Sequence, residues 1–179
     1  MATFRRYFNN QQKYIFITFV TYNRREILIP NIDLFKESLK YAMKKFSFDI
    51  FAITVMKEHC HIIISAEKSE KIPQIIKFIK YYFSAHISDE YICKNLSESA
   101  KKRGEKGIWQ RRYYDHIIID EEDLFRHVDY IHFNSMKHYQ IAPKDWKYSS
   151  FGKFFKSNWY EENWCNFNDE YKINELNLE

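Results

Sequence analysis

The chain has 179 residues, 45% hydrophobic and 29% charged, with only three glycines and three prolines, which fits one compact domain and excludes collagen-like and low-complexity architectures. Three scattered cysteines, Cys60, Cys93 and Cys165, are too few for a disulfide framework, and no apolar run approaches the ~20 residues that span a bilayer, so a cytoplasmic protein without a membrane partner is expected. The net charge is +4, yet residues 161–179 hold six acidic side chains against Lys172 alone, so a basic domain over 1–160 carries an acidic tail and suits a polyanionic partner.

Tyr14 to Thr21 is a β-branched and aromatic run that predicts a first strand. Asp33 is placed to cap a helix whose apolar positions Leu34, Phe35, Leu39, Ala42, Met43 and Phe46 recur at helical spacing. Phe48–Met56 and Cys60–Ser65 read as two strands joined in a hairpin by Lys57, Glu58 and His59. Over 72–87, Ile72, Ile75, Ile76, Ile79 and Phe83 share one face, with Lys77 and Lys80 displaced from it, which predicts a second amphipathic helix. The polar stretch 94–107 reads as a loop, with Gly104 and Gly107 marking a turn, and Tyr113–Ile119 as a fourth strand. Asp120 then caps a third helix, with acidic residues in its first turn and Lys137 and His138 at its end, both favourable to the helix dipole. The order β-α-β-β-α-β-α describes an α+β fold: a ferredoxin-like antiparallel sheet with helices on one face, followed by a terminal helix. Such a layer leaves the opposite face of the sheet open to a ligand.

His59-Cys60-His61 is the most pointed chemical feature. Side chains two apart on a strand project from one face at about 6.6–7 Å, near enough for both imidazoles to meet one metal ion, while Cys60 points the opposite way. On the residues alone, a pair of half-exposed histidines at a hairpin is an equally open reading. In the last helix Leu124, Val128, Ile131 and Ser135 form an apolar stripe, whereas His127, Tyr130 and Asn134 line a different face, which puts Tyr130 outside the core stripe and one turn from Asn134.

Four segments carry a resemblance to a known family: Val55-Met-Lys-Glu-His-Cys-His-Ile-Ile63, Ile108-Trp-Gln-Arg-Arg-Tyr-Tyr-Asp-His-Ile117, His127-Val-Asp-Tyr-Ile-His-Phe-Asn134 and Asp145-Trp-Lys-Tyr-Ser-Ser-Phe151. With the opening Phe4-Arg-Arg-Tyr-Phe8, they resemble the REP-associated tyrosine transposases, single-tyrosine HUH enzymes related to insertion-sequence transposases. The resemblance runs in order over residues 4–151. It implies that the terminal helix is catalytic, that Tyr130 is the nucleophile attacking single-stranded DNA, and that His59 and His61 bind Mg2+ or Mn2+. It offers Asn134 as a third ligand and hairpin-forming single strands as partners, acted on by a monomer or a homodimer. Two positions beyond the nucleophile depart from the pattern, since Ser135 and Tyr139 stand in the places of a proline and a glycine, and Lys57 stands where a proline often precedes the histidines.

The chemistry agrees with these roles. A phenol of pKa ~10 is about a thousandth ionised at neutral pH, a cost of roughly 4 kcal/mol that a divalent cation could offset by stabilising charge on the phosphate. Arg5, Arg6, Lys77, Lys80, Arg111 and Arg112 are candidates to track phosphates, and Trp109, Tyr113 and Tyr114 to stack on bases, although a structural place suits Trp109 better. Two other readings stay open on residues alone: a non-catalytic nucleic-acid-binding module, and a divalent-metal phosphodiesterase in which water attacks.

Overall fold

The computed structural model describes residues 13–66, 69–161 and 163–165. Strand β1 (Lys13–Val20) leads into helix α1 (Ile32–Lys45), followed by the hairpin strands β2 (Phe48–Val55) and β3 (His59–Ala66) and helix α2 (Ile72–His86). A short helix α3 (Glu98–Lys102), strand β4 (Tyr114–Ile117), the long helix α4 (Glu121–Tyr139) and helix α5 (Phe151–Lys156) complete the described elements. The sheet is antiparallel in the order β2-β3-β1-β4, as the ferredoxin-like pattern predicts. Among the described residues no helix is long and apolar enough to cross a membrane.

Strand alternation divides the sheet into two unlike faces. Ile15, Ile17 and Phe19 of β1 and Cys60, Ile62 and Ile64 of β3 point to one side, where Phe35, Leu39 and Ala42 of α1 and Ile75, Ile76, Ile79 and Phe83 of α2 close a hydrocarbon core. On the other side Phe16, Ala52 and Ile63 pack with Leu124, Val128, Tyr130 and Ile131 of α4, backed by Phe151 and Phe154 of α5. The second face is therefore not open, as the helix pattern had suggested. A sheet with apolar residues on both faces must cover both, and α4, laid over β2 and β3, does so.

Local details also differ from expectation. Helix α1 begins two residues earlier, behind Asn31, and Asp33 sits within its first turn without acting as its cap. The stretch read as loop contains α3, capped by the Ser97 hydroxyl, which accepts from Ala100 N–H. Gly104 and Gly107 do serve a turn, with φ of 70° and 63°, and a Cβ on Gly107 would lie 2.4 Å from the Cβ of Cys93. Strand β4 is shorter than Tyr113–Ile119. Asp120 caps α4 as expected, its carboxylate accepting from Asp123 N–H at 2.8 Å.

Candidate active site

Because β3 alternates, His59 and His61 face α4 while Cys60 is buried in the opposite core. The two imidazole centroids lie 4.7 Å apart. Burial pushes the Cys60 thiol well above its ordinary value, so it is a neutral core group, turned away from the histidines.

Each imidazole is oriented through one nitrogen. His59 Nδ1 lies 2.8 Å from Glu58 Oε1, and His61 Nδ1 lies 2.7 Å from the Thr18 hydroxyl of the adjacent strand. A carboxylate only accepts, so His59 Nδ1 carries a proton, which leaves Nε2 as the ring's other nitrogen for a further partner. The Nε2 atoms of both histidines are buried and have no hydrogen-bond partner among the described residues. Burial lowers the His61 basicity well below the ordinary value, and the nearby His59, His138 and Lys137 act in the same direction, so the ring is neutral at physiological pH. Burial works to raise the Glu58 carboxyl, but hydrogen bonding and attraction to His59 outweigh it and hold the group at about 2. Glu58 is thus an anion buttressing His59.

The polar side of α4 meets this pair. Tyr130, read from the helix pattern as lying outside the core stripe, is only 2% exposed and sits edge-on to His61 at 5.1 Å and to Phe16 at 6.0 Å. Its ring turns toward the sheet, onto Phe16 and His61, so it is buried although it lies off the apolar stripe. Asn134, one turn on, donates Nδ2–H to the Tyr130 carbonyl at 2.7 Å, leaving its Oδ1 buried and without a partner among the described residues. Lys137 holds its ammonium 5.3 Å from the Tyr130 ring centroid. Two buried imidazole nitrogens and an amide oxygen, none hydrogen-bonded among the described residues, thus offer nitrogen and oxygen ligand atoms where resemblance implies a divalent metal.

The departures from the family pattern have structural outcomes. With no proline at 135, α4 continues to Tyr139, and Gln140 takes the left-handed conformation (φ 56°) that ends it. Tyr139 meets the β2–β3 turn: its hydroxyl accepts from Lys57 N–H at 3.1 Å, a donor that a proline lacks, and donates to Glu58 Oε2 at 3.3 Å. Burial raises the Tyr139 phenol to about 12, so it keeps its proton. Helical periodicity gave no sign of this contact, nor of His138, whose ring lies 5.2 Å from His59.

A second group, His116, Asp123 and His127, has ligand atoms all within 4.8 Å of one another and by distance alone could hold a metal ion. Its bonding argues for a brace. The Asp123 carboxylate already takes His116 Nε2 at 2.8 Å, Ile119 N–H at 3.0 Å and His127 Nδ1 at 3.0 Å. The two rings stack at 4.7 Å and 13°, so their in-plane lone pairs run side by side and do not converge.

The candidate DNA-binding residues separate from the histidine pair. Lys77, Arg111 and Arg112 are exposed, whereas Lys80 is committed to the loop before β4, its ammonium donating to the Gln110 carbonyl at 2.6 Å. Burial lowers the Lys80 ammonium to about 8. Lys80 and Arg111 border a cavity of about 460 Å3 that is also lined by Tyr81, Ser84, Ala85 and Gly104–Gln110. Trp109 is structural, packed on Phe19, Phe35 and Phe83 with its indole N–H on the Lys80 carbonyl. Arg5 and Arg6, and all of the acidic tail beyond Cys165, lie outside the described residues.

Comparison with known proteins bears on the same residues. The family described as "Transposase IS200 like" matches residues 9–134, a span that includes His59, His61, Tyr130 and Asn134. A Haemophilus influenzae protein with a provisional REP-associated tyrosine transposase assignment is 32% identical, the match covering 92% of this chain and 93% of that one. The REP-associated tyrosine transposase of Escherichia coli is 26% identical over 92% of each chain. A solved REP-associated tyrosine transposase bound to a REP hairpin superposes with a TM-score of 0.70 at 25% identity, covering 93% of both chains. Sequence and fold thus agree along nearly the whole length, and the chain belongs to the IS200-like transposases, within the REP-associated tyrosine transposase group.

Proposed function

We propose that this protein nicks and rejoins single-stranded DNA at hairpin-forming repeats, with Tyr130 as the covalent nucleophile. The observation that carries the reading is the meeting of the Tyr130 ring with His61 beside the buried, unpartnered Nε2 atoms of His59 and His61 and Oδ1 of Asn134. The Tyr130 oxygen attacks phosphorus, the bond from phosphorus to the 3′ oxygen breaks, the phenolic proton is released to solvent, and the departing oxygen takes up a proton to become a free 3′-hydroxyl. The product is a 5′-phosphotyrosine ester, which keeps the free energy of the broken bond for attack by another 3′-hydroxyl, so no nucleotide cofactor is consumed.

His59, His61 and Asn134 would hold Mg2+ or Mn2+, which supplies charge stabilisation at the phosphate when bound. The chain's own groups do the rest. Glu58 and Thr18 fix the imidazoles, the α4 backbone carries Tyr130 and Asn134 on adjacent turns, and Lys137 places positive charge by the phenol ring. The hairpin carried by the structural relative supports hairpin DNA as the partner, and the exposed Lys77, Arg111 and Arg112 supply phosphate contacts.

The test is incubation of the protein with hairpin-bearing single-stranded DNA and Mg2+ or Mn2+, followed by denaturing electrophoresis. A denaturant-resistant adduct that disappears in Tyr130→Phe is the expected result. Cleavage surviving that change would transfer the attack to water, and binding without cleavage would reduce the protein to a DNA-binding module.

A further inference from the structure

Tyr139 and the β2–β3 turn make a contact that the proposed chemistry does not use. The Glu58 carboxylate divides its oxygens: Oε1 accepts from His59 Nδ1 at 2.8 Å, and Oε2 accepts from the Tyr139 hydroxyl at 3.3 Å. The same hydroxyl accepts from Lys57 N–H at 3.1 Å, and the Lys57 ammonium sits 5.0 Å from the Tyr139 ring centroid. The ring also packs 5.3 Å from Trp146, whose indole N–H donates to the Val55 carbonyl at 3.2 Å. Two sequence-distant elements, the end of α4 and the turn preceding the histidines, are joined through one side chain.

This geometry has a directional consequence. A carboxylate bound through one oxygen can pivot about its own side-chain torsions, and Glu58 has an alternative partner in Arg24, whose guanidinium lies 3.7 Å from Oε1 and is half exposed. Anchoring Oε2 removes that freedom and keeps Oε1 on His59. The His59 proton then stays on Nδ1, and the bare Nε2 stays turned toward His61.

We propose that Tyr139 is a positioning residue for the metal ligand His59, acting through Glu58: its hydroxyl orients the carboxylate that sets the tautomer and direction of the imidazole. The inference rests on the metal-dependent reading above. It adds a tether from the nucleophile's own helix to a metal ligand, so that correct seating of α4 and correct presentation of His59 are one condition. Groups that orient a ligating histidine commonly change metal affinity by about 10–100-fold when removed.

The experiment uses the full chain without DNA and reads two signals. Mn2+ affinity is measured by electron paramagnetic resonance for the wild type, Tyr139→Phe, Glu58→Gln, the double variant and His61→Ala, and the His59 tautomer is read from imidazole 15N shifts. Tyr139→Phe should weaken Mn2+ binding about three- to tenfold and Glu58→Gln by about tenfold or more. The double variant should match Glu58→Gln alone, because Tyr139 acts only through that carboxylate. In the metal-free protein Tyr139→Phe should turn a single His59 tautomer into a mixture. Wild-type affinity in Tyr139→Phe, losses that multiply in the double variant, or an unchanged tautomer would overturn the proposal. Should His61→Ala bind Mn2+ as the wild type does, the metal centre itself fails, while the tautomer measurement still decides the role of Tyr139.

Discussion

The two faces of one sheet differ in kind, and the difference falls between neighbouring residues of β3. Cys60, Ile62 and Ile64 enter a core made of hydrocarbon and one thiol, closed by α1 and α2. His59 and His61 enter a layer under α4 that also buries His127, Asp129, His132 and Asn134. Most of these groups are hydrogen-bonded, but the Nε2 atoms of His59 and His61 and Oδ1 of Asn134 are buried without partners among the described residues, at a cost of about 1–3 kcal/mol each. A single strand therefore separates holding the fold from doing chemistry with a spacing of one residue.

The sharpest way to break this division is to remove a group from each side. On the proposed mechanism, His61→Ala should lower the nicking rate by about 10^3-fold, measured on hairpin DNA, because it would delete a ligand to the charge that stabilises the phosphate. Its melting temperature should fall far less than that of Ile62→Ala, two atoms of chain geometry away on the other face. Ile62→Ala should cost about 3 kcal/mol in urea denaturation, and its rate per folded molecule should stay close to that of the wild type. If Ile62→Ala lost activity at full folding, the faces would not be independent.

The smallest effect sharpens the comparison within the polar layer. Burial raises the Asp129 carboxyl to about 6 even though it accepts from the Tyr160 hydroxyl at 2.7 Å. The folded chain thus holds this proton more tightly than the unfolded one, and the group's contribution to stability falls as pH climbs from about 4 to about 6. Asp129→Asn has no such proton, so its stability relative to wild type should rise by about 2 kcal/mol between pH 4 and pH 7, read by urea denaturation at both. An equal gap at the two pH values would place Asp129 in a wetter setting.

Much of this was legible in residue patterns where the determinant is local. Alternation in β1 and β3, the apolar stripe of α2 and the Asp120 cap needed only neighbouring residues, and the facing of His59 and His61 follows from the strand itself. What periodicity could not supply are meetings between residues far apart in sequence. The covering of the second face by α4, the burial of Tyr130, and the bridge from Tyr139 to Glu58 all depend on where α4 docks, and the buried chain from Asp129 through Tyr160 to His132 depends on the segment after α5. The resemblance to a family drew attention to the Tyr130–Asn134 turn of α4, which the structure brings against His61, because a family carries long-range information that spacing within one sequence does not.

The amide of Asn134 is bonded to the backbone carbonyl of Tyr130 itself. The proposed nucleophile and the candidate ligand are accordingly held one turn apart on a single helix. If the proposed chemistry holds, a swing of α4 that carried an attached DNA end toward a different acceptor strand would withdraw the amide from the imidazoles in the same movement, coupling exchange of strands to a loosened grip on any cation held there.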